Sequence, residues 1–223
     1  RSKDLCGYNG MLTAIDLSDA SIVDGAKTVA NVLPQEAFQS TYSLGHVVLP
    51  KNLTAIGSYA FMDSGIEELV LPKTVTSIGR DVFYYARNLK ALSVEEGNTE
   101  FDSRDNCNAI IETATNTLRV GCVNTVIPEG IVALGEMAFS GKPGLEKIEI
   151  PNSVTSIGWA AFWADTDLTE VKLSASITSL SDSPFGGCDR ITSFVIDEAN
   201  PNYHSRDNCN AIIETATNTL VQG

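Results

Sequence analysis

The sequence predicts an α/β to mainly β solenoid, a stack of similar turns that each contribute one short parallel strand. Two repeats in the chain predict it. The sixteen residues SRDNCNAIIETATNTL occupy positions 103–118 and recur without a difference at 205–220. A looser repeat returns every 22 or 23 residues, with VTSIG at 75–79 and again at 154–158. Units of this kind bury their apolar residues by stacking, because no single unit can form a core alone.

Apolar residues at positions 1, 4 and 6 of a short stretch recur in each repeat and predict its strand. In one copy Leu145, Ile148 and Ile150 are followed by Pro151. The alternation at the end of the stretch is strand periodicity, and proline suits a strand end, where no ladder donor is needed. Strands spaced this widely cannot be hairpin partners, so we expect one continuous parallel sheet. Its strands are expected near residues 46–49, 68–71, 91–94, 147–150, 170–173 and 192–196.

A phenylalanine stands at a fixed place in each unit and predicts a second core layer. An aliphatic residue precedes it by five positions, and glycine often follows that aliphatic, as at Gly79 and Gly158. The segment between the glycine and the phenylalanine is too short for a long helix. We therefore expect a short strand at VTSIG, then one helical or 3-10 turn. The rings expected in one buried column are Phe61, Phe83, Phe139, Phe162 and Phe185.

The repeat unit resembles that of a known family. The stretch LEKIEIPNSVTSIGWAAFWADTDL, residues 145–168, is similar to the unit LxxIxIPxxVTSIGxxAFxxCxxL of the BspA-like leucine-rich repeats of bacterial surface proteins. The resemblance extends from about Leu44 to the C-terminus. It implies a right-handed solenoid with a concave parallel sheet and single helical turns on the convex side. It also implies a protein that is secreted or held at the cell surface and acts in adhesion or partner binding. We expect one domain over residues 1–223, with irregular units within 1–43.

Two stretches, residues 95–124 and 197–223, interrupt the repeat and are predicted to be inserted β-hairpin units. In the first, NAIIE and TLRVG flank the polar turn TATN, which is typical hairpin chemistry. If Glu112 faces Thr117, then Cys107 faces Cys122, with Cβ atoms about 4.5–5.5 Å apart. The two cysteines are therefore a candidate disulfide. The alternative is a pair of small half-buried thiols.

The other cysteines carry less information. Cys188 matches the family's cysteine after the phenylalanine and is expected to be a buried core residue. Cys209 belongs to the second copy of the block, and by the same offset its partner would be residue 224. The sequence is therefore interpreted as ending within a unit, as a fragment of a longer array.

Composition and motifs exclude several functions. The chain has 15 basic and 28 acidic side chains, a net charge of −13, which argues against binding a nucleic-acid backbone. No apolar run approaches the roughly 18 residues of a membrane span, and no export signal is recognisable. The two histidines are far apart, and no catalytic or phosphate-binding motif occurs. The oxygen ligands of the insert do not follow calcium-loop spacing. We expect no enzyme activity, no cofactor and no metal site.

Outward positions of the predicted sheet form two columns that are candidates for binding. One column holds His46, Glu68, Ala91, Lys147, Glu170 and Ser193, and the next holds Val48, Val70, Ser93, Glu149, Lys172 and Val195. Lys147 neighbours Glu170, and Glu149 neighbours Lys172, with the signs crossed. These charges are either ion pairs that solubilise the sheet, worth under about 1 kcal/mol each, or a patch that selects a partner by charge. The binding candidates among them are His46, Glu68, Lys147, Glu149, Glu170 and Lys172.

Aromatic residues at variable positions are the second set of binding candidates. Trp159 stands where other units have Ser58, Arg80 or Glu136, and Trp163 stands where others have Met62 or Tyr84. Variable positions usually face solvent, and aromatic residues there are favoured anchors at interfaces. The alternative is that the rings pack against an adjacent turn. The aromatic candidates are Tyr84, Tyr85, Trp159 and Trp163.

The sequence thus favours a non-catalytic repeat protein that binds a host or bacterial surface protein or a glycan. A structural spacer that displays other domains and has no ligand of its own is the alternative. Clustering of the exposed aromatic and charged residues on one contiguous face would favour the binding function.

Overall fold

The computed structural model describes residues 12–26, 28–206 and 209–223. The chain divides into two compact units, residues 1–114 and 115–223. Each is a mostly β stack of short turns. The expected single domain over 1–223 and the handedness of the solenoid stay predictions. Residues 1–11 and 27 of the segment expected to be irregular lie outside the described residues.

The first unit contains two parallel sheets and an antiparallel pair. One parallel sheet has the order β1-β3-β5-β7 and the other has the order β2-β4-β6, while β8 and β9 pair antiparallel. The strands are β1 Ala14–Asp16, β2 Val32–Leu33, β3 His46–Val48, β4 Ala55–Ile56, β5 Glu68–Leu71, β6 Ser77–Ile78, β7 Ala91–Val94, β8 Phe101–Asp102 and β9 Ala109–Glu112.

The second unit has the same plan. Strands β12-β14-β16 form one parallel sheet, β10-β11-β13-β15 form another, and β17-β18-β19 form an antiparallel sheet. The strands are β10 Thr117–Gly121, β11 Ala133–Leu134, β12 Lys147–Glu149, β13 Ser156–Ile157, β14 Glu170–Leu173, β15 Ser179–Leu180, β16 Ser193–Ile196, β17 Tyr203–His204, β18 Ile212–Glu214 and β19 Thr219–Gln222.

All six strands predicted from the apolar pattern are present, and each pairs in parallel within its unit. The expectation of one continuous sheet is wrong, because the six strands belong to two hydrogen-bonded sheets. The insert after β7 interrupts the series. Residues 125–128, which end in the Ile-Pro of the next turn, form no strand.

The expectation of a helical turn at each phenylalanine is also wrong. The described residues around these phenylalanines form no helix, and the 3-10 helix at Arg104–Asn106 lies in the first insert. At the phenylalanines the chain forms successive tight turns, and the residues two before and two after each ring have positive φ. A left-handed residue on both sides prevents a right-handed helix from continuing. The pairs are Glu36 and Ser40, Tyr59 and Asp63, Asp81 and Tyr85, Met137 and Gly141, Ala160 and Ala164, and Ser183 and Gly187.

The phenylalanines stack face to face in the core of each unit, and the five predicted rings are all buried. In the first unit Phe61 lies between Phe38 and Phe83, with ring centroids 5.2 and 5.4 Å apart. In the second unit Phe162 lies 4.9 Å from Phe139 and 5.2 Å from Phe185. Interplanar angles of 6–18° show near-parallel rings.

The glycine that follows the VTSI strand is required because successive turns approach each other by their backbones. A Cβ built at Gly79 would lie 2.4 Å from the backbone nitrogen of Ser58, and one at Gly158 would lie 2.8 Å from that of Glu136. Neither backbone atom can move aside as a flexible side chain could.

We therefore expect Gly79→Ala to lower the free energy of unfolding by about 1–3 kcal/mol, the usual range for overpacking. Gly45→Ala is the matched control, since its Cβ would meet nothing closer than the Glu67 side chain at 3.5 Å. Thermal unfolding followed by circular dichroism measures both variants. Equal midpoints for the two variants would contradict the close approach.

An asparagine begins each insert and turns the chain out of the repeat. Asn98 donates from Nδ2 to the carbonyls of Pro72 and Val75 at 3.1 and 2.9 Å, and its Oδ1 accepts two backbone N–H groups at 2.9 Å. Asn200 makes the same four bonds, with Ser174 and Ile177 as its acceptors. Each amide thus ties the insert to the preceding turn.

The two copies of the identical block have the same pairing but different burial. Phe101 pairs with Glu112 in the first copy, and Tyr203 pairs with Glu214 in the second. In the second copy Glu214 also faces Thr219, the register expected for the first copy. Leu118 is covered by β11 and is 0% exposed, whereas Leu220 lies at the edge of its sheet and is 63% exposed. The neighbouring strand, not the local sequence, decides the burial.

Candidate functional site

The outer face of the sheet β12-β14-β16 carries a groove of about 630 Å³, which we call the β12-β14-β16 groove. Each strand exposes alternate residues, since successive side chains point to opposite faces. The groove is lined in part by Val126, Lys147, Glu149, Lys172, Val195 and Asp197. Three of the charged residues predicted from the sequence therefore share one groove.

The three predicted charged residues of the groove and the neighbouring Glu170 form a zigzag across adjacent strands. Lys147 Nζ lies 3.5 Å from a Glu170 carboxylate oxygen, and Lys172 Nζ lies 3.9 Å from Glu149 and 4.0 Å from Glu170. The strand register places Lys147 opposite Glu170 and Glu149 opposite Lys172, as the crossed pattern in the sequence predicts. Both lysines and Glu149 are exposed and only Glu170 is partly buried, so each pair adds under about 1 kcal/mol to stability.

Exposed valines flank the charged pairs. Val126 is 72% exposed and Val195 is 47% exposed. Surface apolar residues beside oriented charges are the combination found at protein interfaces, where the apolar part supplies burial and the charges supply selectivity.

The first unit has a smaller version of this arrangement. His46 Nδ1 lies 3.3 Å from a Glu68 carboxylate oxygen, and both side chains are exposed. Val48 and Val70 lie on the same strands and are half-exposed. The predicted pair of His46 with Glu68 therefore comes together, and its role in binding stays a prediction.

The aromatic candidates differ in exposure. Trp159 is 44% exposed. Trp163 is half-buried against the next turn, where a Cβ at Gly186 would lie 2.4 Å from the indole ring. Tyr84 and Tyr85 are half-buried, with ring centroids 4.3 Å apart. Among these four residues, Trp159 alone is exposed.

The cysteines are mostly buried. Cys107 and Cys122 are both buried, and desolvation raises the pKa of each thiol. Cys107 lies in the first unit and Cys122 in the second, and the disulfide between them stays a prediction. Cys188 is a buried core residue, as expected. Its thiol donates to the Phe162 carbonyl at 2.9 Å, and burial raises its pKa to about 12.

A buried charged pair in the second unit was missed by the sequence reasoning. Lys142 and Asp165 are both buried, and the Lys142 backbone N–H donates to Asp165 Oδ1 at 2.6 Å. Lys142 Nζ donates to the Ser140 carbonyl at 3.0 Å. Burial raises the pKa of Asp165 to about 8 and lowers the pKa of Lys142 to about 8. The signal was available, because other units place Thr41, Ser64, Ala86 and Cys188 at this position, three residues after the phenylalanine.

The described residues contain no group of three His, Cys, Asp or Glu side chains that could hold a metal ion. They also contain no helix long and apolar enough to cross a membrane.

Comparison with known proteins identifies the family. The family profile described as BspA type leucine rich repeat region (6 copies) matches residues 27–117 and 120–212, most of the chain. The chain belongs to the BspA-type leucine-rich repeat family. The resemblance inferred from the VTSIG and AF elements is therefore confirmed. No curated protein matches the sequence.

Solved leucine-rich repeat structures share the fold. A leucine-rich repeat protein from Eubacterium ventriosum is 20% identical with a TM-score of 0.56, over 74% of this chain and 57% of that one. The pneumococcal vaccine antigen PcpA is 22% identical with a TM-score of 0.61, over 77% of this chain and 49% of that one. The BspA-type chain thus spans about half the length of these relatives, and at these identities the likeness shows the fold alone.

Proposed function

We propose that this BspA-type repeat chain is a non-catalytic, secreted or cell-surface protein that binds a macromolecular partner, a protein or a glycan, through the β12-β14-β16 groove. The observation that carries the proposal is the meeting of Lys147, Glu149 and Lys172 with two exposed valines in one groove. Membership of a family of bacterial surface repeats supports the location.

The groove selects its partner by the order of its charges. Along each of β12 and β14 a lysine and a glutamate alternate, and the order reverses between the two strands. A partner that presents the complementary order gains from both pairs, whereas one with the opposite order meets like charges. Such juxtaposition of like charges costs several kcal/mol at an interface.

A charge swap tests this function. Glu149→Lys combined with Lys172→Glu keeps the net charge and restores an ion pair of opposite polarity. We expect the swap to weaken binding to any partner found on an array of extracellular proteins and glycans by about tenfold or more. We also expect the melting temperature to be unchanged, because exposed ion pairs contribute little to stability.

The matched control is a swap outside the groove. Lys90 and Glu67 form an exposed ion pair at 3.8 Å in the first unit, so Glu67→Lys with Lys90→Glu changes the same kinds of residue. It should leave binding within about twofold. If wild type binds nothing on the array, or if both swaps act alike, the groove has no partner and the spacer function is favoured.

A further inference from the structure

Trp159 belongs to a row of exposed residues on the second unit, outside the β12-β14-β16 groove. Leu134, Ile157 and Leu180 are in parallel register on β11, β13 and β15. The residues two places later are therefore neighbours across the turns. They are Glu136, Trp159 and Asp182, and all three are exposed. Neighbouring strands lie about 4.8 Å apart, so one carboxylate stands one turn away on each side of the indole.

In the first unit, aromatic rings near the equivalent positions are contacted by arginine side chains of the chain itself. Arg80 occupies the place equivalent to Trp159, and its guanidinium lies 5.7 Å from the Tyr59 ring centroid and donates to the Tyr59 hydroxyl at 2.6 Å. Arg87 lies 4.9 Å from the Tyr85 ring centroid. Both of these tyrosines have a cation supplied by the chain itself.

Among its described residues, the second unit supplies no such cation to Trp159. Within residues 12–26, 28–206 and 209–223, the two cation–aromatic contacts are those of Arg80 and Arg87. In the same described part of the chain, the ion pairs do not involve Glu136 or Asp182. An exposed indole between two exposed carboxylates therefore faces solvent.

We propose that Glu136, Trp159 and Asp182 form a binding site for a cationic side chain, arginine or lysine, on a basic segment of a partner polypeptide. Tryptophan is the strongest aromatic partner of a cation. The two carboxylates add Coulombic attraction from both sides. The net charge of −13 attracts basic segments from a distance.

A sugar ring could also stack on the indole, but it fits the row less well. Sugar hydroxyls are neutral, so a bound sugar would leave the charge of both flanking carboxylates uncompensated. A guanidinium or ammonium group compensates both and uses the ring face as well. The observations therefore favour a basic polypeptide, and a glycan is one of the outcomes that the test distinguishes.

The test uses the full chain and the blocked peptide Arg-Gly-Arg-Gly-Arg, with binding measured by calorimetry and by tryptophan fluorescence at low salt. We expect saturable binding that weakens about tenfold in Trp159→Ser, because the variant loses the cation–aromatic contact. The double variant Glu136→Gln with Asp182→Asn should weaken it similarly. Higher salt should also weaken it, by screening the exposed charges.

Three controls make the result decisive. A peptide with citrulline in place of arginine keeps the shape without the charge and should not bind. Glu146→Gln with Glu198→Gln removes two exposed charges elsewhere in the same unit and should change the affinity less than about twofold. Trp159→Phe keeps a ring and should retain part of the binding.

Four results would overturn the proposal. They are no binding of the arginine peptide, equal binding of the citrulline peptide, equal weakening by the two acidic double variants, and tighter Trp159-dependent binding of cellohexaose than of the arginine peptide. The third would mean attraction by net charge alone, and the fourth would make the row a sugar platform. The Glu149 and Lys172 swap should leave peptide binding unchanged, which separates this site from the β12-β14-β16 groove.

Discussion

Phe162→Ala is expected to lower the free energy of unfolding of the second unit by about 3–5 kcal/mol. The ring is fully buried and lies between Phe139 and Phe185, at 4.9 and 5.2 Å. Its removal opens a cavity in the middle of the stack. The rings above and below cannot close it, because each is held by the hydrogen bonds between successive turns, such as that of Phe139 N to the Ala161 carbonyl.

Denaturant titration followed by tryptophan fluorescence measures this loss. Both tryptophans of the chain, Trp159 and Trp163, lie in the second unit, so the signal reports that unit. Val195→Ala removes an exposed side chain of the same unit and should change stability by less than about 0.5 kcal/mol. A loss below about 1 kcal/mol for Phe162→Ala would mean that the ring is not part of a packed stack.

Asp165→Ala is the second change for which we expect a large effect, about 3 kcal/mol or more. Asp165 accepts from the Lys142 backbone N–H at 2.6 Å inside the core, and its electrostatic interaction opposes the desolvation of the Lys142 ammonium, so its loss removes a buried hydrogen bond together with that interaction. Breaking one partner of a buried pair typically costs about 3–5 kcal/mol, whereas replacing both is often neutral. The double variant Lys142→Ala with Asp165→Ser should therefore be far more stable than Asp165→Ala. Alanine and serine already occur three residues after the phenylalanine in turns of the first unit, at Ala86 and Ser64.

The same pair should give the second unit a distinctive pH dependence. The pKa of Asp165 is raised from 3.8 to about 8, so its contribution to stability is present below pH 4 and is lost as pH rises to 8. The pKa of Lys142 is lowered from 10.5 to about 8, so its contribution is present above pH 10.5 and is lost as pH falls to 8. The stability of wild type relative to the double variant should be lowest near pH 8.

Urea titrations at pH 5 and pH 8 check this dependence. Wild type should gain roughly 1 kcal/mol or more over the double variant at pH 5 compared with pH 8. A difference that is independent of pH would mean that both side chains keep their ordinary pKa values in the folded protein.

The core could be predicted from the sequence because its signals are periodic. The six parallel strands follow from the apolar pattern, and the ring stacks follow from the fixed place of the phenylalanine. The pairing of Lys147 with Glu170 and of Glu149 with Lys172 follows from the same register. Each of these features depends only on which residues occupy equivalent positions in successive turns.

Other features depend on geometry that periodicity does not contain. A left-handed residue such as Tyr59 or Ala160 carries no turn signature of its own, so the turns at the phenylalanines were expected to be helical. Trp163 packs on the next turn because Gly186 leaves room for the indole. The sequence does not show that these two residues are in contact. Two of the four bonds of Asn98 reach Pro72 and Val75, which are far from it in sequence, and a lone asparagine does not reveal them.

Hydrogen–deuterium exchange on the chain alone and with a partner found on the array tests the central claim most directly, because it locates the bound surface. If the β12-β14-β16 groove binds the partner, protection should appear in residues 147–149, 170–173 and 193–196, and the Glu149 and Lys172 swap should abolish it. Protection confined to residues outside this sheet, or no protection anywhere, would contradict the assignment of the groove as the binding site.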